Sequence, residues 1–278
     1  MTTNATPYCS VPLDVYEKAT DYIIFTCRVG SELYGLSDTT TDSDIDLMSV
    51  TIMPPSDVLG IAPFEGLEYR TAGKGNRSRP GDIDHSIYSL RKYLRLASDG
   101  NPSILAPLFA PRDRFLFYGS GAAHLFSNRN IFLSKKAGYR HLGYARSQRE
   151  RMVDSRAGVR SPRVNRPELF AKYGFDPKFA AHMLRLTVQG TELMRHGVIT
   201  LPMPETERDQ IRAVRRGEVS YEEILEAADH FEHVLEAAIR SSDLPDTPDR
   251  SAVDKLSYSL HYTSWMNHAN DKEGSPLA

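Results

Sequence analysis

The 278-residue chain carries 34 Lys and Arg against 36 Asp and Glu, for a formal net charge of −2, with 40% hydrophobic and 25% charged residues. That composition is of an ordinary folded chain, long enough for one large domain or two modest ones, and it excludes collagen, global disorder and a disulfide scaffold. It does not exclude a phosphate-rich partner, because a net charge says nothing about where charges sit.

The N-terminal MTTNATPYCSVPLD lacks a basic start followed by an apolar stretch, and no run approaches the roughly 18 apolar residues of a membrane span, so a cytoplasmic location is expected. Residues 22–29 form an apolar, β-branched run bounded by Gly30-Ser31 and read as a buried strand, in which Cys27 is expected as a buried free thiol. Cys9 is the second cysteine, and the pair has no metal or disulfide spacing. A second strand runs from Asp44 to Met53 and stops at Pro54-Pro55; Leu67–Thr71 and Ile83–Tyr88 are further strands, separated by the Gly/Arg/Ser loop AGKGNRSRPGD. From Ser89 the apolar period becomes helical, and Gly100-Asn101-Pro102 ends that helix.

Helical periodicity or cap signals follow near 103–109, 119–127, 131–152, 178–196, 205–215, 220–240 and 250–268. Gly119-Ser120-Gly121 lacks the third glycine of a dinucleotide fingerprint and reads as a helix start. In 220–240, Ile224, Leu225, Ala228, Phe231, Val234, Leu235, Ala238 and Ile239 make one core-facing stripe, with Ser220 and Glu223 as a capping box. A strand-rich front, residues 1–128, and a helical back, 129–278, are the expected domains of an α+β protein. Within 129–185, 14 Lys or Arg stand against four Asp or Glu, a net of +10, and the remainder holds 20 basic and 32 acidic groups, a net of −12. Arginine outnumbers lysine there by 10 to 4, which suits bidentate phosphate contacts. Tyr139, Tyr144 and Tyr173 are interleaved; they are available to stack on bases, although packing in the core is the simpler expectation.

The chemistry concentrates in Val29-Gly30-Ser31-Glu32-Leu33-Tyr34-Gly35 and Ser43-Asp44-Ile45-Asp46-Leu47. A strand ending in Gly-Ser exposes backbone N–H groups beside a hydroxyl, an arrangement that cradles phosphate. On a strand of period two, Asp44 and Asp46 share a face, and two adjacent carboxylates repel unless a cation lies between them. Magnesium, which favours carboxylates together with substrate phosphates, fits. A calcium-loop reading fails, since positions 47 and 53 are Leu and Met where Gly and Glu are required. Ile83-Asp84-His85 supplies a third carboxylate; Asp84, inside the strand, is preferred over Asp82, which follows Gly81 in the loop. His85 reads as an ordinary satisfied histidine and the lone Trp265 as packing.

These blocks, GSELYG…TDSDIDL, DIDHSIYSLRKYLRLASDGNPSILAPLF and RVNRPELFAKYGFDPKFAAHMLRL, resemble the DNA polymerase β-type nucleotidyltransferase superfamily. Within it the chain is similar, from about residue 28 to 260, to the bacterial and phage predicted-nucleotidyltransferase branch that includes the RNA repair pathway polymerase β family. The resemblance implies a catalytic domain with a small mixed sheet flanked by helices, followed by a helical region for triphosphate and acceptor. It implies that Asp44 and Asp46 bind two Mg²⁺ ions (or Mn²⁺), that Asp84 completes the site of the metal activating the acceptor hydroxyl, and that Gly30 and Ser31 hold the β- and γ-phosphates. The superfamily takes a further triphosphate contact from a Lys or Arg on a following helix; Lys178 and Arg185, seven apart, are the candidates, with Lys172 and Arg166 in reserve.

The expected activity is transfer of NMP from an NTP to an acceptor hydroxyl with release of pyrophosphate, catalysed by Asp44, Asp46 and Asp84. The basic segment points to an RNA acceptor, a tRNA 3′ end in particular. The alternatives are a protein side chain or small molecule as acceptor, and a catalytically silent nucleotide- or RNA-binding module.

Overall fold

The computed structural model describes residues 6–37, 44–157 and 167–273. In chain order these form β1 (Tyr8–Cys9), α1 (Leu13–Asp21), β2 (Ile23–Arg28), α2 (Gly30–Leu33), β3 (Ile45–Thr51), α3 (Pro55–Leu59), β4 (Gly66–Arg70), β5 (Ile83–Ser89) and α4 (Leu90–Ser98). The chain continues through α5 (Pro102–Leu105), β6 (Phe115–Tyr118), α6 (Ser120–Ser127), α7 (Lys135–Ala157), α8 (Pro167–Tyr173), α9 (Pro177–His196), α10 (Glu205–Arg216), α11 (Tyr221–Ser241) and α12 (Arg250–Glu273).

The apolar run at β2 becomes an interior strand because it is paired on both sides, antiparallel to β3 and to β6. The six strands lie in the order β1-β4-β5-β3-β2-β6, and β3 with β5 is the parallel pair in an otherwise antiparallel sheet. With its flanking helices this is the mixed α+β architecture expected from the sequence. One face of the sheet packs on Ala19, Met53, Val58, Leu67 and Ile87, to which Tyr16, Tyr69 and Trp265 add partly buried rings. The Trp265 indole N–H donates to the Met53 carbonyl at 2.9 Å, so the lone tryptophan is a packing residue with its polar atom satisfied. The other aromatic cluster surrounds Phe25, whose ring meets Tyr93, Phe115 and Phe126 edge-on at centroid distances of 5.7, 6.0 and 5.3 Å.

The chain divides into two compact units. One takes the residues up to Ser98, Ala110–Phe132 and the stretch from Asp249 onward; the other takes Asp99–Phe109 and Leu133–Pro248. A single cut at residue 128 therefore does not describe the grouping, because α12 returns to the strand-bearing unit, where Trp265 closes the core. In the helical unit, α7, α9 and α11 approach closely at glycines. A Cβ on Gly138 would lie 2.6 Å from Met194 Sδ, and one on Gly190 2.8 Å from His141 Cβ. The capping box expected for α11 is present: Ser220 Oγ accepts from the Glu223 N–H, and the Glu223 carboxylate accepts from the Ser220 N–H. Of the predicted stripe, Ile224, Ala228, Leu235, Ala238 and Ile239 are buried, while Leu225, Phe231 and Val234 lie at its half-buried margins. Among the described residues no helix is long and apolar enough to cross a membrane.

Candidate active site

Parallel pairing of β3 with β5 sets the site. The register puts Asp46 opposite Asp84, and directly opposed residues point to the same face of a sheet, so the two carboxylates come level on neighbouring strands. Asp44 stands just before β3 and is exposed; Asp46 and Asp84 are half-buried. One carboxylate oxygen from each of the three lies within 4.8 Å of the others. Like charges at that spacing repel by more than RT at the effective dielectric of a protein surface, less so for the exposed Asp44. Three hard oxygen donors converging in this way suit a divalent cation such as Mg²⁺ or Mn²⁺. Asp82 is not in the group: it accepts from Thr71 Oγ1 at 2.9 Å and from the Arg79 N–H at 2.7 Å. The Arg79 N–H, then Thr71, hold its carboxyl below the usual carboxylate range.

Gly30 sits against Asp46. Its φ is +65°, and a Cβ there would lie 2.0 Å from Asp46 Oδ2, so both the backbone conformation and the space demand glycine. The Val29 N–H donates to the Asp46 carbonyl at 2.9 Å, fixing the turn to the strand. Ser31 follows in the single turn of α2; its Oγ is 3.1 Å from Ser37 Oγ, and its carbonyl accepts from the Leu36 N–H at 2.8 Å. Beside it, Glu32 is held between Arg28 at 3.1 Å and Arg114 at 3.2 Å. The Gly-Ser turn and the carboxylates thus form one continuous surface at the end of β2 and the starts of β3 and β5.

Sequence reasoning missed Arg70. It ends β4 and, in the antiparallel register of β4 with β5, stands opposite Asp84. Its Nε donates to Asp84 Oδ1 at 3.0 Å and a terminal nitrogen to Oδ2 at 3.2 Å, a forked ion pair. The Asp84 carboxylate raises the guanidinium's pKa. The same terminal nitrogen donates to Ser78 Oγ at 2.9 Å, and Ser78 Oγ donates to Asp84 Oδ2 at 3.0 Å. An arginine at a strand end was the visible signal, but only the strand register gives it meaning.

His85 points to the opposite face, buried, with Nε2 2.8 Å from Ser49 Oγ, which in turn is 2.7 Å from Thr26 Oγ1. Burial lowers its pKa to about 4, so it is a satisfied, neutral histidine as the sequence implied. Cys27 is buried and free, its thiol pushed up to about 12 by burial.

The remaining candidates lie in the helical unit. Lys178 is exposed on the first turn of α9, where its N–H donates to the N-cap Asp176. Arg185 is only 6% exposed, and its guanidinium donates to Gln189 Oε1 at 2.8 Å. The seven-residue spacing does place them on one face, but that face is exposed at the helix start and buried at its middle. Lys172 is exposed on α8, over the Tyr173 ring; Arg166 lies outside the described residues. Much of the +10 segment is neutralised within this unit. Lys136 pairs with Asp99, Arg146 with Glu232 and Glu236, Arg149 with Asp229 and Glu232, and Arg156 with Glu222. Tyr139 and Tyr144 are not core residues; they are 61% and 42% exposed on α7, on a surface that also exposes Arg140 and Arg151.

Residues 11–259 match the family described as the RNA repair pathway DNA polymerase beta family. The chain belongs to that family. That family is of the polymerase β type, and the chain carries an acidic triad of Asp44, Asp46 and Asp84. Over 137 residues it is 31% identical to the uncharacterized 38.9 kDa protein of the nrdC–mobD intergenic region of Enterobacteria phage T4, a match covering 49% of this chain and 38% of that relative. Among solved structures it is similar to a nucleotidyltransferase-like protein from Exiguobacterium sibiricum, at 14% identity and a TM-score of 0.29, over 82% of this chain and 72% of that one. It is also similar to the spectinomycin adenyltransferase AAD(9) from Enterococcus faecialis, at 11% identity and a TM-score of 0.36, over 79% of this chain and 94% of that one. TM-scores this low carry no weight for the substrate.

Proposed function

We propose that the chain transfers NMP from an NTP to a hydroxyl at an RNA 3′ end, that of a tRNA in particular, with release of pyrophosphate. The observation that carries the reading is the convergence of Asp44, Asp46 and Asp84 with the Gly30–Ser31 turn packed directly on Asp46. In this reading Asp44 and Asp46 would hold two divalent ions, Mg²⁺ or Mn²⁺, with Asp84 as a further ligand. Bound there, the ions supply Lewis acidity to the acceptor hydroxyl and charge neutralisation to the triphosphate. Gly30 and Ser31 orient the β- and γ-phosphates through backbone N–H groups and the Ser31 hydroxyl. The acceptor oxygen then bonds to the α-phosphorus as the bond to the bridging oxygen of the β-phosphate breaks in line with it, pyrophosphate leaves with that electron pair, and the hydroxyl proton passes to bulk water.

The family description, with its reference to RNA repair, and the exposed Tyr139, Arg140, Tyr144 and Arg151 on α7 support RNA as acceptor. Incubation with each radiolabelled NTP, Mg²⁺ and total RNA tests the reading. Ribonuclease-sensitive label that disappears in Asp46→Asn is expected. Label in protein bands, insensitive to ribonuclease, would transfer the acceptor to a side chain, and binding of nucleotide without any labelling would leave a silent binding module.

A further inference from the structure

The loop between β4 and β5 is a basic stretch of the strand-bearing unit that the reaction above does not use. From Arg70 to Asp84 it carries Arg70, Lys74, Arg77 and Arg79 against Asp82 and Asp84. Lys74 is engaged over the Tyr8 ring, 5.4 Å from its centroid, and Arg70 is committed to Asp84. Arg77 and Arg79 are exposed, on either side of Ser78.

The loop is fastened to the candidate metal site. Ser78 Oγ donates to Asp84 Oδ2, Arg70 bridges Asp84 to Ser78 Oγ and to the Asn76 carbonyl, and Asn76 Nδ2 donates to the Ala72 carbonyl at 2.7 Å. At its far end Asp82 accepts from the Arg79 N–H, and the Asp82 carbonyl accepts from the Ile45 N–H at the start of β3. Where its outer side turns, at Gly75 and Gly81, a Cβ would meet nothing within 4 Å, so the backbone is open to close approach. These contacts tie the backbone that carries Arg77 and Arg79 to Asp84 and to the start of β3.

The strand order decides which phosphates it can serve. With β4-β5-β3-β2 as consecutive neighbours, the end of β4 and the Gly30 turn after β2 flank the starts of β5 and β3 from opposite sides. In-line displacement requires the attacking and leaving oxygens on opposite sides of the α-phosphorus. A triphosphate on the Gly30–Ser31 side therefore leaves the β4–β5 loop on the side from which the acceptor attacks. We propose that this loop is the acceptor's phosphate clamp, with Arg77 and Arg79 binding backbone phosphates of an RNA strand next to the hydroxyl presented at Asp84. The inference rests on the nucleotidyl-transfer reading of the three carboxylates and assigns the acceptor side of that site.

The test compares the full chain with Arg77→Ala/Arg79→Ala, which keeps Ser78, Asp82 and the Arg79 backbone N–H from which Asp82 accepts. Binding of a fluorescein-labelled single-stranded RNA of about twelve nucleotides is followed by anisotropy across a salt series. In parallel, the melting-temperature rise given by Mg²⁺ with a nonhydrolysable NTP is recorded. The double variant should bind the RNA about tenfold more weakly, as for two exposed ion pairs, with the slope of log K against log salt reduced by about 1.4. Its response to nucleotide should be that of the wild type, and Arg77→Lys/Arg79→Lys should regain the salt slope. RNA affinity and slope equal to the wild type would overturn the clamp while leaving nucleotidyl transfer standing. So would a lost nucleotide response with RNA binding intact, which would assign the loop to the triphosphate. A wild-type chain that responds to nucleotide but binds no RNA overturns the RNA acceptor and the clamp together, and one that ignores Mg²⁺ and nucleotide overturns the underlying reading.

Discussion

Gly30→Ala probes the contact on which the site is built. The new Cβ would have to occupy a backbone at φ +65° and would lie 2.0 Å from Oδ2, 2.9 Å from Cγ and 3.1 Å from Cβ of Asp46. A left-handed backbone costs alanine roughly 1–2 kcal/mol. Relieving the overlap, which must move the carboxylate or the turn by about 1 Å or more, adds roughly 1–3 kcal/mol as an overpacked contact. A loss of about 2–5 kcal/mol corresponds to a fall in melting temperature of roughly 4–20 °C for a unit of this size. Calorimetry with and without Mn²⁺ reads both effects: one transition should move down, and its stabilisation by Mn²⁺ should disappear as Asp46 is displaced. Gly75→Ala is the control, because φ there is +74° but nothing lies within 4 Å of the added atom. It should lose only the backbone contribution and keep the full response to Mn²⁺. A Gly30→Ala protein that melts with the wild type and responds equally to Mn²⁺ would refute the claim that the turn is packed on the metal carboxylate.

Three further outcomes are expected. Burial lowers the pKa values of both His85 and His141 to about 4, against about 6.5 unfolded, so the unfolded chain takes up protons that the folded chain refuses. Stability should therefore fall as pH drops from about 6.5 towards 4, by up to about 3 kcal/mol per histidine. Melting curves across that range should show it, with a shallower slope in His141→Asn; a slope unchanged by that substitution contradicts the assignment. Trp265→Phe strands the Met53 carbonyl and should lower stability by about 1–2 kcal/mol in urea titrations followed by circular dichroism. Ser220→Ala removes the capping box of α11 and should lose about 1 kcal/mol, with Ser220→Asp restoring most of it.

The site was legible where local rules apply. A Gly-Ser turn after an apolar run and carboxylates at period two are properties of short windows, so Gly30, Ser31, Asp44 and Asp46 stand out without a fold, and Gly81 before Asp82 marks the loop that separates it from Asp84 in the strand. Arg70 was not legible, because its importance comes from β4 pairing with β5 in one register, a contact made across the loop. The ion pairs of the basic segment were hidden for a related reason: the glutamate that pairs with Arg146 and Arg149 lies on α11, more than 80 residues along the chain. Among the elements, the long helices of the back appeared close to their expected bounds, whereas α1 and β6 went unseen. The first has Pro12 at its N-cap and no side-chain cap, and the second is a four-residue edge strand exposing Leu116 and Phe117. Nothing local announces that α12 belongs with the strands.

That return of α12 sets an order of events during synthesis. The strands β1 to β5 leave the ribosome first, yet the ring that closes their core, Trp265, follows after the whole of the helical unit. About 150 residues separate Ser98 from Arg250, which at ordinary elongation rates means roughly 8–30 s. Through that interval the Met53 carbonyl is without its indole donor and the core cluster is without its tryptophan. The acidic triad therefore stands on a sheet whose core receives its tryptophan from the last long helix to be made.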